Sequence, residues 1–116
     1  MAERLVIEGG VRLQGRVAVS AAKNAALPAQ AATLLTAEPV VFENLPTLAD
    51  VGTISQLLER LGAEIVTGVQ GGTQVGVARL KSHEAPYELV STMRASVLVL
   101  GPLLARTGRA RVALPG

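Results

Sequence analysis

The sequence predicts an α/β (α+β) domain. Three observations carry the prediction: β-branched runs closed by glycine, apolar residues at helical spacing between those runs, and enough apolar material for a packed core. Hydrophobic residues make up 49% of the 116-residue chain, and its mean hydropathy is +0.41. That excludes a disordered composition and suffices for one ordinary domain.

Residues 4–8 and 16–20 are short β-branched runs separated by Gly9, Gly10 and Gly15, the pattern of a hairpin or of two neighbouring strands. A helix is expected over 24–36, where Ala25, Ala26, Leu27, Ala31, Ala32, Leu34 and Leu35 are helix formers or apolar. Pro28 is tolerated there only near the helix start. Residues 39–43 form the next strand, closed by Asn44-Leu45-Pro46. Asp50 is the expected N-cap of a helix running to Leu61. In that helix Val51, Ile54, Leu57, Leu58 and Leu61 recur at helical spacing, and Gly62 supplies the left-handed stop. Residues 64–67 and 73–78 read as a hairpin around Gln70-Gly71-Gly72. A third helix over 87–105 carries Val90, Met93, Val97, Leu100 and Leu104, and a last strand spans 110–114. This order implies right-handed crossovers and a mixed sheet covered by helices. The ending Leu114-Pro115-Gly116 reads as a turn leading into further chain, so the 116 residues are expected to be part of a longer protein.

Composition also removes several classes of partner. Charged residues are 17% of the chain and the net charge is +2, too small to suggest a polyanion. Phe42 and Tyr87 are the only aromatics and no basic run compensates, so no nucleic-acid partner is expected. Without cysteine there is no disulfide framework and no thiolate nucleophile. The N-terminus has no secretory pattern. The longest apolar run, 95–105, is interrupted by Gly101 and Pro102 and falls short of the roughly 20 residues a membrane helix needs. A cytoplasmic location without membrane association is the expectation.

The residues that invite chemistry are cationic. Lys23 falls at a helix N-terminus, where it opposes the helix dipole at a typical cost of about 0.3–1 kcal/mol unless an anion sits between the ammonium and the free N–H groups. Two readings follow: a phosphate or carboxylate site at Lys23 and Asn24, or an ordinary exposed helix start capped by Ser20 or Asn24. Arg94 shares a helix face with Val90, Val97, Leu98 and Gly101, so its charge requires an anionic partner. Either the charge is met by a carboxylate such as Glu88 or Asp50 or snorkels to the helix edge, or it meets a phosphorylated ligand on which Lys23 and Arg94 converge. Gly71-Gly72 belongs to a hairpin turn, because neither a helix nor Gly-Lys-Ser/Thr follows. His83 has no companion at ligand spacing, so no metal site is indicated and no cofactor is expected. Ser20, Ser91 and Ser96 lack a matching His and Asp.

Five motifs, in order, resemble one family. Ala21-Ala22-Lys23-Asn24-Ala25-Ala26-Leu27-Pro28, then Asn44-Leu45-Pro46 with Asp50-Val51 and Leu61-Gly62-Ala63, then Ala85-Pro86-Tyr87-Glu88-Leu89-Val90, Thr92-Met93-Arg94-Ala95-Ser96 and Leu114-Pro115-Gly116 are similar to the N-terminal part of the bacterial UDP-N-acetylglucosamine enolpyruvyl transferases. The sister enolpyruvylshikimate-phosphate synthases usually carry serine after this lysine and arginine four positions further on, where this chain has Asn24 and Pro28.

The resemblance implies transfer of the enolpyruvyl group of phosphoenolpyruvate to a sugar hydroxyl of UDP-N-acetylglucosamine, with release of phosphate, in the first committed step of peptidoglycan synthesis. It matches Lys23 and Asn24 to phosphoenolpyruvate binding and Arg94 to the UDP-sugar site. It implies an inside-out barrel of repeated β-α-β units, incomplete in this chain. Residues 1–20 would be strands pairing with another globule, and 21–116 would form part of a first globule. The family's Cys or Asp acid and Asp base would lie beyond Gly116. By this reading the 116 residues bind but are inactive alone, need the remainder of the enzyme as partner, and can self-associate through unpaired strands. The alternative is a free-standing, non-catalytic α/β module that binds a phosphorylated metabolite or a protein.

Overall fold

A computed structural model describes residues 2–113. Residues 2–20 contain neither helix nor strand and every one of them is exposed; Leu5, Leu13, Val17 and Val19 are 87–92% exposed. The hairpin expected from 4–8 and 16–20 is therefore not formed. A two-stranded ribbon on its own is marginal in water, and no sheet edge or apolar surface among the described residues receives these side chains.

Packing begins with α1 (Lys23–Ala32), which turns Ala26, Leu27, Gln30 and Ala31 inward. Pro28 lies inside this helix on its exposed side and removes one backbone donor. The chain then tightens into a 3-10 turn at Thr33–Leu35, where the Thr33 hydroxyl donates to the Gln30 carbonyl at 2.6 Å. The single helix expected over 24–36 is thus split in two.

Strand β1 (Val40–Phe42) leads to α2 (Ala49–Leu61), which buries Val51, Ile54, Leu57, Leu58 and Leu61 along one stripe. The N-cap is Leu48, with no side-chain cap bond, and Asp50 sits inside the first turn. The expected capping role is corrected: a residue already in the helix cannot reach back over its own N-terminus, and its carboxylate goes elsewhere. Gly62 ends α2 at φ 122°. A Cβ there would meet the Arg79 carbonyl oxygen at 2.6 Å, so glycine lets loop 79–81 lie on the helix end, where the Lys81 N–H donates to the Leu61 carbonyl at 2.9 Å.

Strands β2 (Glu64–Val69) and β3 (Gly72–Gly76) form the expected hairpin. Its turn residues Gln70 and Gly71 have φ 51° and 76°, matching the twist of the strands. β3 is central in a wholly antiparallel sheet of order β1-β3-β2. A second sheet pairs β4 (Glu84–Ala85) in parallel with β5 (Arg111–Val112). Two small sheets thus replace the single mixed sheet. β4 was not expected, and of the strand predicted over 110–114, Leu114 lies outside the described residues.

The helix expected over 87–105 is broken. It consists of α3 (Tyr87–Val90), a non-helical step, a 3-10 segment (Arg94–Val99) and α4 (Leu100–Thr107). At the break the Ser91 and Thr92 hydroxyls donate back to the Glu88 and Leu89 carbonyls, the latter at 2.8 Å. Met93 is extended, with φ −153° and ψ 121°. Hydroxyls that bond locally compete with the helix ladder, and here they interrupt it.

The core gathers α1, α2, the hairpin and α4 around Leu34, Ile54, Leu58, Leu61, Val75 and Leu103, each at most 1% exposed. Arg106 on α4 ties the periphery together. Its Nη1 donates to the Leu34 and Thr36 carbonyls, both at 3.1 Å, and its Nη2 donates to Ala78 at 3.2 Å. No described helix is long and apolar enough to cross a membrane. Helix and strand are mixed, without a closed barrel among the described residues.

Candidate functional site

Lys23 is the first residue of α1, and that helix start is bare. Its N-cap is Ala22, extended at ψ 136° and without a side-chain bond, and its first turn holds no acidic residue. Neither Ser20 nor Asn24 caps it, so the capped helix start is not what forms. The Ala25 and Ala26 N–H groups turn back to the Ala22 carbonyl, while the amides of Lys23 and Asn24 precede any helical partner. A helix start of this kind presents donors and partial positive charge to whatever lies beyond it.

The anion nearest the Lys23 ammonium comes from the neighbouring helix. α1 and α2 pack side by side, and Asp50 in the first turn of α2 places Oδ2 3.1 Å from Lys23 Nζ. The two side chains are 46% and 36% exposed. An ion pair this open contributes at most about 1 kcal/mol once solvent screening is allowed for.

Arg94 arrives from the third direction, as the first residue of the 3-10 segment after the extended Met93. It is exposed and makes no ion pair with a described carboxylate. The expected apolar flanking of the guanidinium and the alternative of a pair with Glu88 or Asp50 are corrected, whereas an arginine reaching solvent is among the alternatives the sequence leaves open. The break at residues 91–93 turns Arg94 to solvent, and Asp50 is engaged by Lys23.

These placements bring Lys23, Asn24 and Arg94 to one open recess of about 370 Å³, together with Leu27, Asp50, Thr92, Met93 and Ala95. Leu27 and Met93, 4% and 6% exposed, give it an apolar floor. Two cations against one carboxylate leave the recess net positive, an arrangement suited to holding phosphate or carboxylate groups by charge-assisted hydrogen bonds. Sequence reasoning had not placed Asp50 beside Lys23. No local signal links residues so far apart in the chain, and only the packing of α1 on α2 joins them.

The other candidates lie elsewhere. His83 is an exposed loop residue whose carbonyl accepts from the Arg111 N–H at 2.9 Å. Gly71 and Gly72 form the hairpin turn and strand edge. Ser96 is fully buried, and its hydroxyl has no hydrogen-bond partner among the described residues.

Comparison with known proteins agrees across sequence and structure. The family model described as EPSP synthase (3-phosphoshikimate 1-carboxyvinyltransferase) matches residues 7–116. A UDP-N-acetylglucosamine 1-carboxyvinyltransferase of Koribacter versatilis (strain Ellin345) is 56% identical over 117 residues, covering 98% of this chain and 27% of that protein. One of the same name from Coxiella burnetii (strain Dugway 5J108-111) is 52% identical over 114 residues, covering 98% and 26%. Among solved structures, the enolpyruvyl transferase NikO from Streptomyces tendae superposes with a TM-score of 0.71 at 27% identity, over 88% of this chain and 24% of that one. The chain spans about a quarter of the length of the curated relatives it matches. With a family model that spans nearly all of its residues and a shared fold, the chain belongs to the EPSP synthase family of carboxyvinyl transferases.

Proposed function

We propose that these residues form the anion-anchoring part of an enolpyruvyl transferase acting on phosphoenolpyruvate and UDP-N-acetylglucosamine. The observation that carries this reading is the convergence of Lys23, Asn24 and Arg94 on one net-positive recess. The names of relatives at 52–56% identity favour UDP-N-acetylglucosamine over a shikimate acceptor. In the reaction the sugar hydroxyl gives its proton to a base as its oxygen bonds to C2 of phosphoenolpyruvate, and C3 gains a proton from an acid as the C2–C3 double bond is lost. Loss of a proton from C3 and departure of phosphate then leave the enol ether on the sugar.

Lys23 and Asn24 hold the phosphate and carboxylate of phosphoenolpyruvate, and Arg94 holds the UDP-sugar. Each supplies charge stabilisation of the kind phosphate departure requires. The acid and base that move the protons belong to parts of the relatives that this chain does not match, so these 116 residues anchor substrates without turnover. Residues 1–20 supply strands to another globule, 21–116 contribute to the first, and the enzyme works in the cytoplasm at the entry to peptidoglycan synthesis.

Calorimetry on the 116-residue chain tests the reading. Lys23→Ala is expected to weaken phosphoenolpyruvate binding about tenfold, the usual worth of a charged hydrogen bond. Arg94→Ala should weaken UDP-N-acetylglucosamine to a similar degree. Equal weak binding of phosphoenolpyruvate by wild type and Lys23→Ala overturns the assignment of Lys23, and phosphate release by the chain overturns the claim that it only anchors.

A further inference from the structure

The recess holds three charged side chains, and its single carboxylate is engaged by only one of the cations. Asp50 Oδ2 lies 3.1 Å from Lys23 Nζ, whereas Arg94 opens on the same space without a described carboxylate. From this we infer that Asp50 is a positioning residue: it acts as an internal counter-ion that holds the Lys23 ammonium over the recess and yields it when a ligand anion enters. The inference rests on the anion-anchoring reading above and adds a residue and an order of events to it.

The surroundings of the two side chains explain why the exchange can run. Lys23 begins a helix with no cap and no acidic residue in its first turn, so without Asp50 its charge has no anionic neighbour on its own element. Asp50 lies in the first turn of α2, where the helix N-terminus favours a carboxylate whether or not Lys23 is near. Releasing Lys23 therefore leaves Asp50 in a favourable place. Both side chains are substantially solvated, and such pairs are weak and readily exchanged. A phosphate offers Lys23 a doubly charged acceptor with three oxygens, a stronger partner than a single exposed carboxylate. Arg94, unpaired among the described residues, is the cation that an incoming anion meets without displacing a described carboxylate.

Asp50 thus lowers affinity while keeping the ammonium aimed, and the test separates those effects. In the 116-residue chain, Asp50→Asn keeps the shape of the side chain and removes its charge. It is expected to bind phosphoenolpyruvate about two- to fivefold more tightly than wild type, the range that an exposed ion pair is worth. The gain should vanish when Lys23→Ala is combined with it. A measurement on unmutated protein guards against a misfolded variant: the 13C resonance of the Asp50 carboxylate should shift as phosphoenolpyruvate is titrated in, and remain still in Lys23→Ala. If Asp50→Asn leaves affinity unchanged or reduces it while Lys23→Ala still weakens binding, the counter-ion role is wrong and the site reading stands. If phosphoenolpyruvate binds wild type and Lys23→Ala equally, the site reading fails and this inference fails with it.

Discussion

Replacing Arg106 with methionine is expected to destabilise the chain by about 2 kcal/mol. The guanidinium makes three hydrogen bonds to backbone carbonyls from two distant segments: Leu34 and Thr36 after α1, and Ala78 after β3. A charged hydrogen bond contributes about 1.5–3 kcal/mol when well shielded. The bonds to Leu34 and Thr36 are part-buried and the bond to Ala78 is exposed, so the first two count for about 1 kcal/mol each and the third for almost nothing. Methionine retains most of the apolar stem, so packing loss is kept out of the measurement.

The assay is urea unfolding followed by far-ultraviolet circular dichroism. With a slope of about 1–1.5 kcal/mol per molar, the midpoint should fall by about 1.5 M. Arg106→Lys keeps the charge but loses the fork that spans two carbonyls, so it should recover no more than about half of the loss. A methionine variant whose midpoint lies within about 0.3 M of wild type would show that water satisfies the three carbonyls equally well, and the staple would have no energetic meaning.

Gly62→Ala should cost about 2–4 kcal/mol, because a side chain at φ 122° is strained and its Cβ would press on the Arg79 carbonyl. A melting temperature equal to wild type would refute that. Ser96→Ala has the opposite sign: the hydroxyl is fully buried and unpartnered, so its removal should be neutral or stabilise by up to about 1 kcal/mol. A clear loss in the same melting experiment would reveal a partner for it. Limited trypsin digestion read by mass spectrometry should cut after Arg4, Arg12 and Arg16 well before Arg60 in α2, since 2–20 are exposed and unpaired. Early protection of those three sites would mean that the segment docks.

What the sequence made legible was what local rules decide. The apolar stripe of α2, its stop at Gly62 and the hairpin at Gln70-Gly71 all follow from spacing and turn chemistry, and the structure has them. The hairpin expected of the N-terminal runs is absent for a physical reason. The β-branched runs at 4–8 and 16–20 report a capacity to lie in a sheet, but pairing also requires an edge to pair with, which a local pattern does not specify. The short β4 escaped notice because two residues carry no period; Glu84 and Ala85 are a strand only because Arg111 and Val112 lie beside them. Aspartate before an apolar stripe is usually a cap, but α2 is capped at Leu48, two residues earlier, so Asp50 falls inside the first turn.

The break at residues 91–93, which the sequence did not announce, shapes the recess. Continuous helix from Tyr87 to Ala105 would have fixed Arg94 among its apolar neighbours, with a charge to bury and a geometry set by the helix axis. Instead the hydroxyls of Ser91 and Thr92 take carbonyls from the preceding turn, Met93 is extended with its side chain in the core, and the chain restarts at Arg94. That restart places the guanidinium beside the starts of α1 and α2, where Lys23 and Asp50 already face each other. Three segment beginnings thus meet at one recess, and each contributes a charged residue from its first turn. The local hydroxyl bonds at residues 91–93, by interrupting the helix ladder, thus set the geometry of the recess.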